Sequence, residues 1–107
     1  MPTYNKLVRD KIPEIIKDTG KDFKTEILSN DRYIEELKAK LNEEITEYIE
    51  TTTDTDALEE LADVLELMHA LAGVHGASFD EIEKVRKEKA AKRGGFTDRI
   101  FLIEVED

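Results

Sequence analysis

Two long stretches with helical apolar periodicity lie on either side of a short polar turn, and this arrangement constrains the fold more than any other feature. Residues 32–50 and 55–75 predict helices, and the intervening TTTDTD predicts the turn. A turn this short makes the two helices antiparallel neighbours. The sequence therefore predicts a mainly α fold built on an antiparallel helical hairpin, with residues 1–107 forming a single domain.

Each predicted helix carries two carboxylates three residues apart, Glu44 with Glu47 and Glu60 with Asp63. This spacing places both side chains on one face of a helix, one turn apart. Glu44 lies at the border of an apolar stripe and Glu60 lies inside one, whereas Glu43 points away and is expected to be solvated. A carboxylate facing apolar neighbours is costly unless it is paired or bound to a metal. One such glutamate alone would more often reach solvent or a lysine, but four together favour a shared cation.

Carboxylate oxygens are hard ligands, which suit Mg²⁺ and also Mn²⁺ better than Zn²⁺. The net charge of −10 argues against nucleic-acid polymers and anionic membranes as partners. The absence of cysteine excludes disulfides and thiolate metal sites. We find no apolar run long enough to span a bilayer and no signal peptide at the start, so a cytoplasmic protein is expected.

Basic residues flank the acidic region in sequence and are candidates for substrate binding. They are Lys6, Arg9 and Lys11 near the start, and Lys89 and Arg93 near the end of a third predicted helix. Guanidinium and ammonium groups bind phosphate, although each residue could equally be an ordinary surface charge. Arg93 precedes Gly94 and Gly95, which allow the backbone to approach a ligand closely.

The second long helix is apolar on two sides. We expect one stripe to pack on the first long helix and the other, with Val64, Leu67 and Leu71, to contact a second copy of the chain. A homodimer or tetramer would cover this second stripe. The alternative is that the N-terminal and third helices do so.

Two short segments have strand-like composition. Residues 22–28 alternate weakly between polar and apolar, and residues 99–105 are apolar and β-branched. They are candidates for a small two-stranded β ribbon beside the helices.

The acidic motifs also carry a family resemblance. Glu44-Ile-Thr-Glu47, followed after a helical hairpin by Glu60-Leu-Ala-Asp63, resembles the ExxE…ExxD pattern of the all-α MazG-like nucleoside triphosphate pyrophosphohydrolases. YNKLVRDKIPEII near the start and KRGGF near the end are similar to the small single-domain members of that superfamily. The resemblance covers nearly the whole chain, and the order, spacing and helical context of the motifs make it specific.

The resemblance implies an all-α pyrophosphatase-type bundle and a Mg²⁺-dependent enzyme of the house-cleaning type. Such an enzyme cleaves a nucleoside triphosphate between the α and β phosphates, and releases a nucleoside monophosphate and pyrophosphate. By motif, Glu44, Glu47, Glu60 and Asp63 would be the metal ligands and catalytic carboxylates. The family also implies oligomers in which neighbouring chains complete the site.

Two alternatives remain open at this point. Relatives on the same scaffold hydrolyse phosphoribosyl-ATP, so that substrate is a second possibility within the class. A non-catalytic helical oligomerisation module is a possibility from another class. A pure packing module has no reason to keep Glu60 inside an apolar stripe, which favours the enzyme.

Overall fold

The secondary structure is entirely helical across residues 2–107, the part of the chain that the computed structural model describes. The helices are α1 (Ile12–Asp18), α2 (Asn30–Glu50), α3 (Asp54–Val74) and α4 (Phe79–Arg93). The mainly α fold class is confirmed, and the two long helices begin and end within two residues of the expected positions. Within this described range, no helix has the length and apolar character needed to cross a membrane.

The hairpin of α2 and α3 is formed by a three-residue connection with a hydroxyl cap at the start of each helix. The Ser29 side chain accepts a hydrogen bond from the backbone N–H of Arg32 at 3.4 Å. The Thr53 side chain accepts one from the backbone N–H of Asp56 at 3.2 Å. Such caps satisfy donors that the first turn of a helix leaves unpaired. The Thr53 cap therefore fixes where α3 begins relative to α2.

The interior of the chain lies in this hairpin. α3 packs against α2 on one side and α4 packs against α3, whereas α1 makes no helix-to-helix packing within residues 2–107. Leu37 on α2 and Ala72 on α3 are buried, with 2% and 3% of their surface exposed. The third buried residue of the described chain is Glu44, at 8%. A carboxylate thus occupies one of three positions that water barely reaches.

The two apolar stripes of α3 differ in how far the hairpin covers them. Val64, Leu67 and Leu71 are half-buried, and Glu60 belongs to the same stripe. Leu58, Leu61 and Leu65 of the other stripe remain exposed. Contact of the first set with a second copy of the chain stays a prediction. Glu60 faces the α2 carboxylates, and this orientation turns Leu58, Leu61 and Leu65 toward solvent.

The β ribbon does not form in the described residues. Residues 22–28 and 99–105 contain no strand, and both are largely exposed, with Ile27 at 98% and Phe101 at 87%. A two-stranded ribbon in water is marginal unless a helix or further strands cover one of its faces. Neither segment has such a cover here, which explains why strand-like composition alone fails.

The chain has much more surface than a compact monomer of its size. The radius of gyration is 18.4 Å, whereas a compact domain of this length has roughly 13 Å. The accessible surface is 9894 Å², against about 6,100 Å² for a folded monomer of this mass. The excess is roughly 3,800 Å².

We predict that Thr53→Ala destabilises the folded chain by about 1 kcal/mol, because an alanine cannot accept the hydrogen bond from Asp56. The melting temperature should fall by several degrees. Thr52→Ala is the matched control, since Thr52 is exposed and caps no helix. Equal melting temperatures for the two variants would show that the cap contributes nothing.

Candidate metal centre

Five carboxylates come together where the middle of α2 faces the first half of α3. Glu44, Glu60 and Asp63 can each offer one oxygen so that all three oxygens lie within 4.8 Å of one another. Glu43, Glu44 and Glu47 form a second such group along α2. Glu44 belongs to both. The structure therefore brings together all four carboxylates singled out by the sequence, and adds Glu43.

The two helices position this cluster by simple periodicity. Glu44 and Glu47 are one turn apart on α2, and Glu60 and Asp63 are one turn apart on α3. One-turn spacing directs each pair to one side of its own helix. The antiparallel hairpin then sets the two pairs against each other, so that oxygens from both helices are available to one ion.

Two oxygens in the cluster are buried and have no hydrogen-bond partner. They are Oε2 of Glu44 and Oε2 of Glu60. The Glu44 side chain keeps only 10% of its surface exposed. A buried carboxylate oxygen without a partner loses its hydration and gains nothing in return. A cation placed between these oxygens would compensate both, and their arrangement fits one.

Burial and the neighbouring acids raise the pKa of the Glu44 carboxyl to about 8. Loss of hydration is the largest cause, because burial disfavours the charged form. The neighbouring Glu60 and Glu47 carboxylates act in the same direction, because only the protonated form of Glu44 could donate a hydrogen bond to them, and the negative charges of Glu47 and Asp63 add to this. Without a metal, Glu44 therefore holds a proton at neutral pH, and a bound cation would have to replace it.

Three basic side chains partly neutralise the negative charge of the cluster. Lys6 Nζ lies 3.1 Å from Glu43 Oε1, and Arg9 Nη2 lies 2.7 Å from Asp63 Oδ1. Lys40 Nζ lies 3.8 Å from Glu43 Oε2 and 3.9 Å from Glu44 Oε1. With every carboxylate ionised, five negative charges face three positive ones. The difference of two charges equals that of one divalent cation.

The structure corrects the view that Glu43 is solvated. Glu43 is half-buried and pairs with both Lys6 and Lys40. The hydrogen bond from Lys6 is the largest effect and lowers the pKa of Glu43. Burial opposes it, and the charges of Lys40 and Lys6 lower the pKa further. Glu43 therefore carries a negative charge at the edge of the cluster.

Lys40 is a site residue that the sequence analysis missed. A signal was present, since Lys40 precedes Glu43 by three residues and Glu44 by four, and such pairs are neighbours on a helix. Lys40 is half-buried along α2. Its ammonium group therefore lies close to the carboxylates of both Glu43 and Glu44.

The other basic candidates have no direct link to the cluster. Within residues 2–107, no ion pair or hydrogen bond joins Lys11, Lys89 or Arg93 to an acidic residue. Lys89 and Arg93 lie exposed on α4, and Lys11 lies exposed just before α1. Their role in substrate binding stays a prediction.

A cleft of about 210 Å³ opens beside the cluster, between residues 5–7 and α2. Lys6, Lys40 and Glu43 are among its lining residues. A larger depression of about 420 Å³ is lined by charged residues of α4 alone and shares no residue with the cluster. The smaller cleft is therefore the one whose lysines could meet an anionic ligand near the carboxylates.

The chain belongs to the MazG-like family. The family model matches residues 27–98, which include the whole hairpin, the acidic cluster and α4. Membership suggests an enzyme of the nucleotide pyrophosphatase type. This agrees with a helical hairpin that presents acidic side chains from both of its helices.

Among curated proteins, an uncharacterized protein of Mycolicibacterium smegmatis is 45% identical over 53 residues. The match covers 50% of this chain and 54% of that protein, so the chain spans about half the length of this relative. No solved structure matches the chain significantly.

The raised pKa of Glu44 predicts that the metal-free protein becomes less stable as the pH rises from about 4.5 to about 8. In this window the folded chain keeps a proton on Glu44 that the unfolded chain, with an ordinary pKa of 4.5, has released. Folding takes up a proton, so raising the pH opposes folding. The lowered pKa of Glu43 acts below this window. The measurement is urea unfolding in a chelator across these pH values.

The matched variants are Glu44→Gln and Glu50→Gln, because Glu50 is an exposed glutamate at the end of the same helix. Glu44→Gln should remove most of the dependence on pH, and Glu50→Gln should keep it. Stability that increases with pH in the parent protein would contradict the buried, protonated Glu44.

Proposed function

We propose that this chain is a metal-dependent nucleoside triphosphate pyrophosphohydrolase, which cleaves between the α and β phosphates and releases a nucleoside monophosphate and pyrophosphate. The observation that carries this proposal is the buried Glu44 carboxylate, which has one unpartnered oxygen and faces Glu60 and Asp63. Family membership supports the class of reaction. The two negative charges that the basic side chains leave uncompensated, when every carboxylate is ionised, support the need for a divalent cation.

Mg²⁺ is the cation that we propose, and Mn²⁺ could replace it. The donor set consists of carboxylate oxygens alone, which these hard ions prefer. The ion would be held by Glu44, Glu60 and Asp63. Glu47 belongs to the neighbouring group, which it forms with Glu43 and Glu44. When bound, the ion would act as a Lewis acid toward the phosphate oxygens.

The chain's own residues would bind and orient the triphosphate around this ion. Lys6 and Lys40 line the cleft beside the cluster, so their ammonium groups can neutralise phosphate oxygens. Glu47 is exposed and has no ion-pair partner in the described chain. We propose that a Glu47 oxygen accepts the proton of the attacking water. The water oxygen forms the new bond to phosphorus, and the phosphoanhydride bond to pyrophosphate breaks.

We also propose that the chain works as a homo-oligomer. The excess surface of roughly 3,800 Å² is much larger than the roughly 800 Å² that each partner buries in a standard interface. Both hairpin helices keep exposed apolar side chains, which are Ile45, Tyr48 and Ile49 on α2 and Leu58, Leu61 and Leu65 on α3. A second copy of the chain, in a dimer or a tetramer, would cover these exposed apolar side chains.

We expect pyrophosphate release from at least one nucleoside triphosphate in the presence of Mg²⁺. The assay should cover a panel of standard and non-standard triphosphates together with phosphoribosyl-ATP. Faster release from phosphoribosyl-ATP would select that substrate within the same class. No release from any compound, together with no effect of Mg²⁺ on melting, would favour the non-catalytic helical module.

Glu60→Gln should reduce this release by about a hundredfold or more, because the variant loses a charged ligand while keeping the side-chain shape. Its metal-free melting temperature should stay the same or rise, since one of several repelling carboxylates is gone. Glu59→Gln is the matched control, because Glu59 is the exposed neighbour on α3. A Glu60→Gln variant that melts lower and still releases pyrophosphate at the parent rate would refute the metal site.

Leu61→Glu should dissociate the assembly, because a buried unpaired carboxylate at an interface costs several kcal/mol. Light scattering coupled to size exclusion at micromolar concentration measures this, with circular dichroism to verify that the helices remain. Ile27→Glu is the control, since Ile27 is 98% exposed and lies outside the hairpin. A parent protein that is monomeric under these conditions would contradict self-association.

A further inference from the structure

The N-terminal segment holds the acidic cluster through two ion pairs. We call residues 2–9 the N-terminal strap; it is non-helical and precedes α1. Lys6 meets Glu43 at 3.1 Å, and Arg9 meets Asp63 at 2.7 Å. Asn5 adopts a positive φ of 47° just before the first of these residues, a conformation that asparagine tolerates better than most residues.

The two ion pairs differ in whether their carboxylate is one of the three candidate metal ligands. Lys6 pairs with Glu43, which lies outside the group formed by Glu44, Glu60 and Asp63. Arg9 pairs with Asp63, which belongs to that group. A guanidinium on Asp63 therefore neutralises one of the three carboxylates that would hold a divalent cation, whereas Lys6 leaves all three available.

The Arg9–Asp63 pair is short but weakly held. Arg9 has 59% of its side chain exposed and Asp63 has 39%. Exposed ion pairs contribute little because water and salt screen them. A divalent cation bound by three carboxylates at once interacts more strongly with Asp63 than one guanidinium does. The cation should therefore prevail when the two compete.

We propose that Arg9 is an internal counter-ion of the acidic cluster, which holds Asp63 in the metal-free protein and is displaced when a divalent cation binds. This inference rests on the proposed metal site. Displacement frees a guanidinium next to the bound ion, where it can bind a phosphate of the substrate through two parallel hydrogen bonds. Lys6 keeps the strap anchored to α2 meanwhile. Arg9 thus couples metal binding to triphosphate binding.

The position of Arg9 gives this exchange a readout that is independent of activity. Arg9 lies shortly before α1, and α1 does not pack on another helix of the described chain. Loss of the contact with Asp63 should therefore loosen the chain between the strap and α1. Addition of Mg²⁺ alone should speed tryptic cleavage after Arg9, although it stabilises the hairpin.

The direct test compares Mg²⁺ binding by the parent, Arg9→Gln and Lys17→Gln, with calorimetry and without nucleotide. Arg9→Gln should bind Mg²⁺ about two- to fivefold more tightly, the range expected from removal of one exposed competing pair. Lys17→Gln removes the same charge from exposed α1, where Lys17 joins no ion pair in the described chain. It should bind like the parent. The difference should shrink at high salt.

Hydrolysis supplies the second half of the test. With Mg²⁺ saturating, the KM of Arg9→Gln for the triphosphate should rise roughly tenfold or more, because a charged hydrogen-bonding group is lost. Lys17→Gln should keep the parent KM.

Three results would overturn the inference. Weaker Mg²⁺ binding by Arg9→Gln would show that Arg9 positions Asp63 as a ligand and does not compete. Equal binding, or an unchanged KM, would show that the exchange does not occur. The failure of the proposed function is distinguishable, since in that case the parent protein itself would not bind Mg²⁺ saturably.

Discussion

Glu44 lies nine-tenths buried between α2 and α3, and its carboxylate faces those of Glu60 and Asp63. The buried apolar residues of the described part of the chain are Leu37 and Ala72, so this group of carboxylates occupies much of the interior. The metal-free protein tolerates it because Glu44 stays protonated, with its pKa raised to about 8 by burial and by the neighbouring acids. The hairpin is therefore built around a buried carboxyl group, Glu44, whose ionised form a bound cation would stabilise.

The basic side chains around the cluster leave room for that cation. Lys6 and Lys40 act at its edge through Glu43, and Arg9 reaches Asp63 from the N-terminal strap. Together they compensate three of the five negative charges that the cluster carries once Glu44 is ionised. A chain that neutralised all five internally would have a stable salt-bridge cluster and little affinity for metal. The incomplete compensation is what connects the fold to the proposed chemistry, because an added divalent ion completes it.

The hairpin and its carboxylate pairs were predictable because they depend on local periodicity. Three-residue spacing and a short turn suffice to place Glu44 opposite Glu60. The environment of Glu43 was not predictable in this way, since a wheel of α2 does not show that Lys6 arrives from a non-helical segment. The exposure of Leu58, Leu61 and Leu65 was not predictable for a similar reason: both stripes of α3 are apolar, and the position of Glu60 in the folded hairpin decides how they face. The expected ribbon failed because strand-like composition does not supply a covering layer.

The most direct measurement of the central claim is the anomalous scattering of Mn²⁺ in crystals grown with that ion. The account predicts an anomalous peak for manganese within bonding distance of carboxylate oxygens of Glu44, Glu60 and Asp63. It also predicts that Arg9 no longer forms its ion pair with Asp63. A map with no manganese at these residues, and with Glu44 instead hydrogen-bonded inside the hairpin, would contradict it.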